Sequence, residues 1–271
     1  MKTFFLKKWS SCILLALVFA ACAGGPKNAV PVKGPNAQTA PYDAIALNKT
    51  VAFSPDQGKK SPRLELSFIL LDPAGDELLK SLLYEGLDPE VYVSRLIQNY
   101  EDLYLDTRTQ LEGAADMPPP AVFDWNYREF HKAYDYSRLQ VICRFKEYYT
   151  GGAHGMREKD YFVIDLVEKK QIQLEDLFLA GSQETLKTRV EDALRAYSAL
   201  ESGEPLSTGY YFNDSVEPSE NFFLTAEGIG FQWNPYEIAP YSVGPVKIII
   251  PYGDIEDLLN SRGKFLISQL K

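Results

Sequence analysis

The sequence predicts an α+β fold: an antiparallel β-sheet meander with helices packed on one face. Three observations predict it. Short runs of alternating apolar and polar residues, such as RLQVICRFKEYYT and DYFVIDL, follow one another with brief turns between them. Two longer stretches, 88–111 and 183–200, carry apolar residues at spacings of three and four, the period of a helix with one buried stripe. No internal repeat and no low-complexity tract interrupts the chain beyond its N-terminal part, so one globular body is expected.

The elements follow in order. RLELSFILLD (63–72) holds an apolar run and reads as a strand, and AGDELLKSLLYEG reads as a short helix that Gly86 can stop. The next stretch is the clearest helix. Asp88 suits its N-cap, Pro89 its first position and Glu90 its positive end, while Val93, Leu96, Ile97, Tyr100, Leu103 and Tyr104 form one stripe. The prolines of GAADMPPPA end it. FDWNYREFHKAYDY, RLQVICRFKEYYT and DYFVIDL then read as strands, with Phe162, Ile164 and Leu166 sharing a face of the last. SQETLKTRVEDALRAYSAL is the second good helix, with Ser182 as cap and Leu186, Val190, Leu194 and Tyr197 as stripe. After a long loop, NFFLTAEGIGFQW reads as a hairpin turning at Glu227-Gly228, VKIIIPY as a buried strand, and the remainder as a helical tail.

The first 21 residues read as a signal peptide: Lys2, Lys7 and Lys8 make a positive head before the short apolar core CILLALVFAA. FAAC resembles a bacterial lipobox, which makes Cys22 the expected lipidation site, with Phe19 where most lipoboxes have Leu. Residues 22–60 then read as the lipidated cysteine and a flexible tether, rich in Pro, Gly, Ala and Asn and without periodicity. The expected address is the cell envelope, anchored by the lipid to a bacterial membrane and facing the periplasm or the exterior.

The formal net charge is −9. This disfavours nucleic acid, whose phosphates require Lys and Arg clusters, and favours a basic partner by long-range attraction. Of three cysteines, Cys12 leaves with the leader and Cys22 takes the lipid, so Cys143 has no partner for a disulfide. It shares an apolar strand face with Leu139, Val141 and Phe145, where a buried thiol is expected. No H-E-x-x-H, G-x-S-x-G, P-loop or G-x-G-x-x-G occurs. His131 and His154 are the only histidines, and neither neighbours a cysteine or the other, so no metal site and no cofactor is expected. Asp165 and Asp176 fall near element ends, where structural hydrogen bonding is the expected role.

Two stretches invite a binding role. In YYTGGAHG, His154 sits at the tip of an irregular bend, with Gly151, Gly152 and Gly155 available for positive φ. A turn hydrogen bond competes there with a ligand contact. In FQWNPYEIAPYSVGPVKIIIPY, three prolines force extended or turn geometry, so Tyr236 and Tyr241 either pack beneath a crossover or form a rigid aromatic platform. In the 201–220 loop, Tyr210, Tyr211 and Phe212 stand between acidic groups, a composition suited either to an aromatic anchor with a polar rim or to rings buried under the loop.

Taken together, YYTGGAHGMREKDYFVIDLVEKKQIQLEDLF and NFFLTAEGIGFQWNPYEIAPYSVGPVKIIIPY resemble the paired motifs of the DUF3298 domain. The order of elements before them resembles the DUF4163 unit that usually precedes it. The resemblance implies a DUF4163-like strand-helix unit over 61–117 and a DUF3298-like α+β unit over 118–271, packed as one body. It also implies extracytoplasmic binding rather than catalysis, since RsiV-like extracellular domains bind lysozyme. Similar domains precede a deacetylase in PdaC-like proteins or stand alone in lipoproteins. Sigma-factor release and deacetylation are not expected of this chain, and the family offers no catalytic residues to carry over. The expected function is therefore a lipid-anchored binding module for a cell-wall-directed protein such as lysozyme, or for a peptidoglycan fragment. The alternatives are a glycan-acting enzyme with paired carboxylates and a structural envelope protein.

Overall fold

The computed structural model describes residues 38–39, 43–53, 62–112 and 124–270. The signal peptide and Cys22 lie outside the described residues. Strand β3 (Arg63–Leu71) turns Leu64, Leu66, Phe68 and Leu70 to one side, where all four are buried. Strand β2 (Ala44–Ala52) pairs with it antiparallel along its whole length, from Ala44 opposite Leu71 to Ala52 opposite Arg63. Over 44–52 this departs from the expectation of a flexible tether at 22–60, of which 22–37, 40–42 and 54–60 lie outside the described residues. Ile45, Leu47 and Val51 pack on the same core, but the alanines, Asn48, Lys49 and Thr50 around them dilute the alternation in sequence. The two-residue strand β1 (Gln38–Thr39) pairs with the end of β4 (Trp125–Asp135).

Strands β3 and β4 run parallel, from Leu64 opposite Trp125 to Ile69 opposite Phe130. A parallel pair needs a long crossover. It is supplied in part by α1 (Glu77–Tyr84) and α2 (Pro89–Glu112). Asp76 caps α1, accepting from the Leu78 and Leu79 N–H groups at 2.9 and 3.2 Å, and Glu85 and Gly86 at positive φ end it. From β4 the chain runs as the expected antiparallel meander through β5 (Leu139–Tyr149) and β6 (Met156–Asp165), and the short β7 (Lys170–Gln171) pairs beyond it. The α+β class holds, with one parallel pair at the helical crossover.

A second, three-stranded sheet follows α3 (Gln183–Tyr197). It comprises β8 (Phe222–Leu224), β9 (Gly228–Trp233) and β10 (Val246–Pro251), all antiparallel in the order β10-β9-β8. Gly230 is required there: a Cβ would fall 2.1 Å from the Phe223 ring. The chain ends in α4 (Ser261–Ser268). In α3 the stripe of Leu186, Val190 and Leu194 is buried as the spacing predicts. Ser182 does not cap it with its side chain. Its backbone is already helical, and its hydroxyl turns back to donate to the Leu179 carbonyl at 2.7 Å. Among the described residues, no helix is long and apolar enough to cross a membrane.

The main sheet separates two cores. On one face, Ile142 of β5 and Ile164 of β6 join β3 under α1 and α2. On the other, Leu139, Val141 and Val163 join the small sheet and α3. Cys143 lies on this second side, partly buried opposite Tyr161, and burial pushes its thiol pKa up.

Beneath the helices lies a buried polar cluster. Glu129 is fully buried and accepts from the hydroxyls of Tyr92 at 3.0 Å and Tyr127 at 2.5 Å. The Leu71 N–H donates to His131 Nδ1 at 3.4 Å, so Nε2 carries the hydrogen and donates to Glu129 at 2.7 Å. Burial raises the Glu129 pKa, but His131, Tyr127 and Arg144 outweigh it and hold the carboxyl below its ordinary value of 4.5. A depressed carboxyl stabilises the fold above its unfolded pKa, and that contribution is lost as the pH falls through the folded value. Glu129→Gln is expected to lower stability at pH 7 by roughly 1–3 kcal/mol. Below pH 4.5 the gap to wild type should narrow, as read by urea denaturation across pH.

Candidate functional site

The site begins at the free edge of β6. Strand β7 pairs only with Ile164 and Asp165, leaving the earlier half of β6 without a strand neighbour on that side among the described residues. Two asparagine side chains take its place. Asn221 Oδ1 accepts from the Tyr161 N–H at 2.8 Å while its Nδ2 donates to the Lys159 carbonyl at 2.7 Å. Asn234 Oδ1 accepts from the Lys159 N–H at 2.8 Å. A carboxamide offers one acceptor and a donor in the geometry of a peptide group, so each reproduces part of a missing strand. Asn221 immediately precedes β8 and Asn234 immediately follows β9, so the clamp fixes the small sheet against β6.

From Asn234 the chain enters its proline-rich crossover. The Asn234 N–H donates to Glu237 Oε2 at 2.9 Å and closes a tight turn. Tyr236, at φ 73, is thrown outward, and its N–H donates to the Ala239 carbonyl at 3.1 Å. Gly244 at φ 81 closes a second turn onto the Tyr241 carbonyl at 2.9 Å. Opposite lies the glycine bend. Gly151 and Gly152 adopt φ 94 and 91, as the sequence predicts. Gly155 is needed for a different reason, because a Cβ there would meet the Tyr148 carbonyl oxygen at 2.8 Å.

These two loops meet in an aromatic cluster. The His154 and Tyr241 rings stack at 3.6 Å and 9°, and Tyr236 lies 6.0 Å from Tyr241. His154 Nδ1 donates to the Gly155 carbonyl at 3.0 Å, leaving Nε2 to accept from the Tyr236 hydroxyl at 3.2 Å. His154 and Tyr236 are exposed and Tyr241 is half-buried, so the rings present a surface without filling a core. The imidazole therefore does take the expected turn hydrogen bond, and it also joins a platform. Both of its nitrogens are engaged by a carbonyl and a phenol. Among the described residues no group of three or more His, Cys, Asp and Glu side chains is placed to hold a metal ion.

Near Tyr241, Arg157 holds Glu147 at 2.7 Å. On the helical side of the sheet, Arg144 and Lys146 hold Asp160 at 2.8 and 3.1 Å, and Tyr148, packed on the helical core, donates to Glu158 at 2.9 Å. Burial, aided by Asp160 and Glu158, raises the Glu237 pKa, against the opposing hydrogen bond from Asn234. This arrangement suits contact with a partner through flat rings and a polar border.

Of the remaining predicted site residues, Tyr210 and Phe212 are exposed, and the Phe212 N–H donates to the Ile238 carbonyl at 2.9 Å, which lays their loop beside the crossover. Tyr211 is a correction. It is buried, with its hydroxyl 2.8 Å from Ser198 Oγ, because the turn at Tyr210 (φ 69) directs alternate rings outward and inward. Asp165 and Asp176 have structural roles: Asp165 binds Arg138 at 2.7 Å, and Asp176 accepts from the Gln173 N–H at 2.9 Å. Asn221 and Asn234 escape sequence reasoning. The Asn-Pro pair marks Asn234 for backbone geometry, but nothing local marks its side chain for an edge 75 residues away.

The stack is directly observable. The ring protons of His154 are expected to be shifted upfield by the Tyr241 ring current, and Tyr241→Leu should abolish that shift in a proton–carbon NMR spectrum while the fold is retained.

Residues 175–253 match the DUF3298 family model, described as a protein of unknown function. The chain is similar to a solved DUF3298 family member from Bacteroides fragilis NCTC 9343, with TM-score 0.67 and 25% identity over 88% of this chain and 99% of that one. It shares its fold with a DUF3298 family protein from Pseudomonas aeruginosa PAO1, with TM-score 0.55 and 19% identity over 83% of this chain and 97% of that one. No curated protein matches it. The matched segment runs from the turn before α3, through the small sheet and the proline-rich crossover.

Proposed function

We propose that this chain is a binding module held outside the cytoplasm by a lipid on Cys22. It recognises a cell-wall-directed protein such as lysozyme, or a peptidoglycan fragment, through the face of His154, Tyr236 and Tyr241. One observation carries the reading: two loops whose rings lie 82 residues apart are brought together at the surface by hydrogen bonds and stacking. Aromatic side chains held rigidly at a surface lose little entropy on binding and are the usual anchors of interfaces. Tyr210 and Phe212, exposed on the adjacent loop, extend the candidate face. The net charge of −9 supports a basic protein partner.

A non-catalytic role is the simpler reading of the neighbouring acids. Against burial, Lys146 and Arg144 hold the Asp160 carboxyl below its ordinary range, so it lacks the raised pKa that a general acid needs; Glu158 is bound by Tyr148, and Glu237, whose pKa burial raises, is tied to the Asn234 N–H.

The test is calorimetric titration of the full chain with lysozyme and, separately, with soluble peptidoglycan fragments at low and moderate salt. Binding of one of them is expected, and Tyr236→Ala/Tyr241→Ala should weaken it by about thirtyfold, the scale of a lost hot spot. No binding of either, or the same affinity in the variant, would contradict the proposal.

A further inference from the structure

Away from the rings, the strap of residues 213–220 has a cavity on each side. One, of about 630 Å³, lies between the strap and the start of α3, and Leu174, Phe178, Leu179 and Leu186 give it an apolar lining. The other, of about 320 Å³, is lined by Trp233, Val216, Ile238 and Glu237. Glu217 and Pro218 of the strap line both, and the larger one forms an open groove beside the start of α3. The strap is pinned: the Val216 N–H donates to Glu191 at 3.2 Å, Ser219 Oγ donates to the Gln232 carbonyl at 2.8 Å, and Lys187 pairs with Glu217. A groove with fixed walls loses little free energy to ordering when it is filled.

Its chemistry selects the occupant. Leu179 is 46% exposed and offers an uncovered apolar wall. Glu175, Glu217 and Glu220 form the rim of the larger cavity, and Lys187 offsets one of the three carboxylates. The N-terminus of α3 also faces this cavity at Ser182 and Gln183, but it returns only roughly +0.5 of a charge. The rim is therefore negative over an apolar floor. Lysine and arginine match that pairing, since their stems cover apolar surface while the charged end stays at the rim. The larger volume lies within the range of about 300–1,000 Å³ for ligand pockets, which exceeds one side chain and suits a short extended segment.

We propose that this groove docks an extended lysine- or arginine-bearing segment of a basic protein partner, with stems against Leu179 and Phe178 and cationic ends at Glu175 and Glu220. The inference goes beyond the aromatic face and stands even if that face binds nothing.

The test uses the full chain and a fluorescein-labelled hexapeptide of alternating lysine and leucine, read by fluorescence anisotropy, with the glutamate–leucine peptide as control. The lysine peptide is expected to bind and to weaken with salt. Glu175→Gln/Glu220→Gln, both at exposed positions, should weaken it by about fivefold or more, as loss of two rim ion pairs implies. Tyr236→Ala/Tyr241→Ala should leave it unchanged, which separates this groove from the aromatic face. Equal binding of the glutamate peptide, wild-type affinity in a folded Glu175→Gln/Glu220→Gln chain, or no binding of the lysine peptide would overturn the proposal. So would spermidine binding as tightly as the peptide, because the site would then take a free polyamine and not a protein segment.

Discussion

The amide of Asn221, laid along the edge of β6, is the interaction on which the rest of the molecule turns. An open strand edge carries N–H and C=O groups that need partners and invites pairing with other chains. Here one side chain satisfies the Tyr161 N–H and the Lys159 carbonyl together, and Asn234 satisfies the Lys159 N–H. The same bonds hold the small sheet at a set distance from the main one. The apolar core shared by Leu139, Val141, Phe223 and Phe231 closes between them. Because Asn234 is also the first residue of the crossover, the clamp decides where Tyr236 and Tyr241 emerge, which is beside the glycine bend.

The two histidines show how position governs role. His131 lies under the helices, donating to a buried carboxylate that two tyrosines also bind, and its cluster ties α2 and β4 together. His154 lies in the open, stacked on one tyrosine and bonded to another. The first arrangement stabilises a core against the cost of a buried charge, since every polar group there has partners. The second leaves ring faces and edges available to a partner. The main sheet stands between the helical core and the side that carries the small sheet, so contact at the aromatic face need not disturb the helical layer.

Much of this was legible locally. The α3 stripe, the β4–β6 alternation and the positive φ at Gly151 and Gly152 follow from spacing and residue type alone. Strand β2 was not legible, because three apolar side chains spread among small and polar residues carry little periodic signal. Ser182 and Tyr211 misled for a shared reason: a residue type suggests a role, but the backbone angle at that residue or its neighbour decides where the side chain points. The aromatic cluster was legible as a set of candidates and illegible as a constellation. Its assembly depends on two asparagines whose partners are 60 and 75 residues distant.

The most direct measurement is amide hydrogen exchange at Lys159 and Tyr161, which face side chains and no strand. The account predicts that both exchange slowly in the wild-type chain and become fast in Asn221→Ala/Asn234→Ala, while the amides paired between β4 and β5 keep their protection. Fast exchange of both already in the wild-type chain, or unchanged slow exchange in the variant, would contradict it.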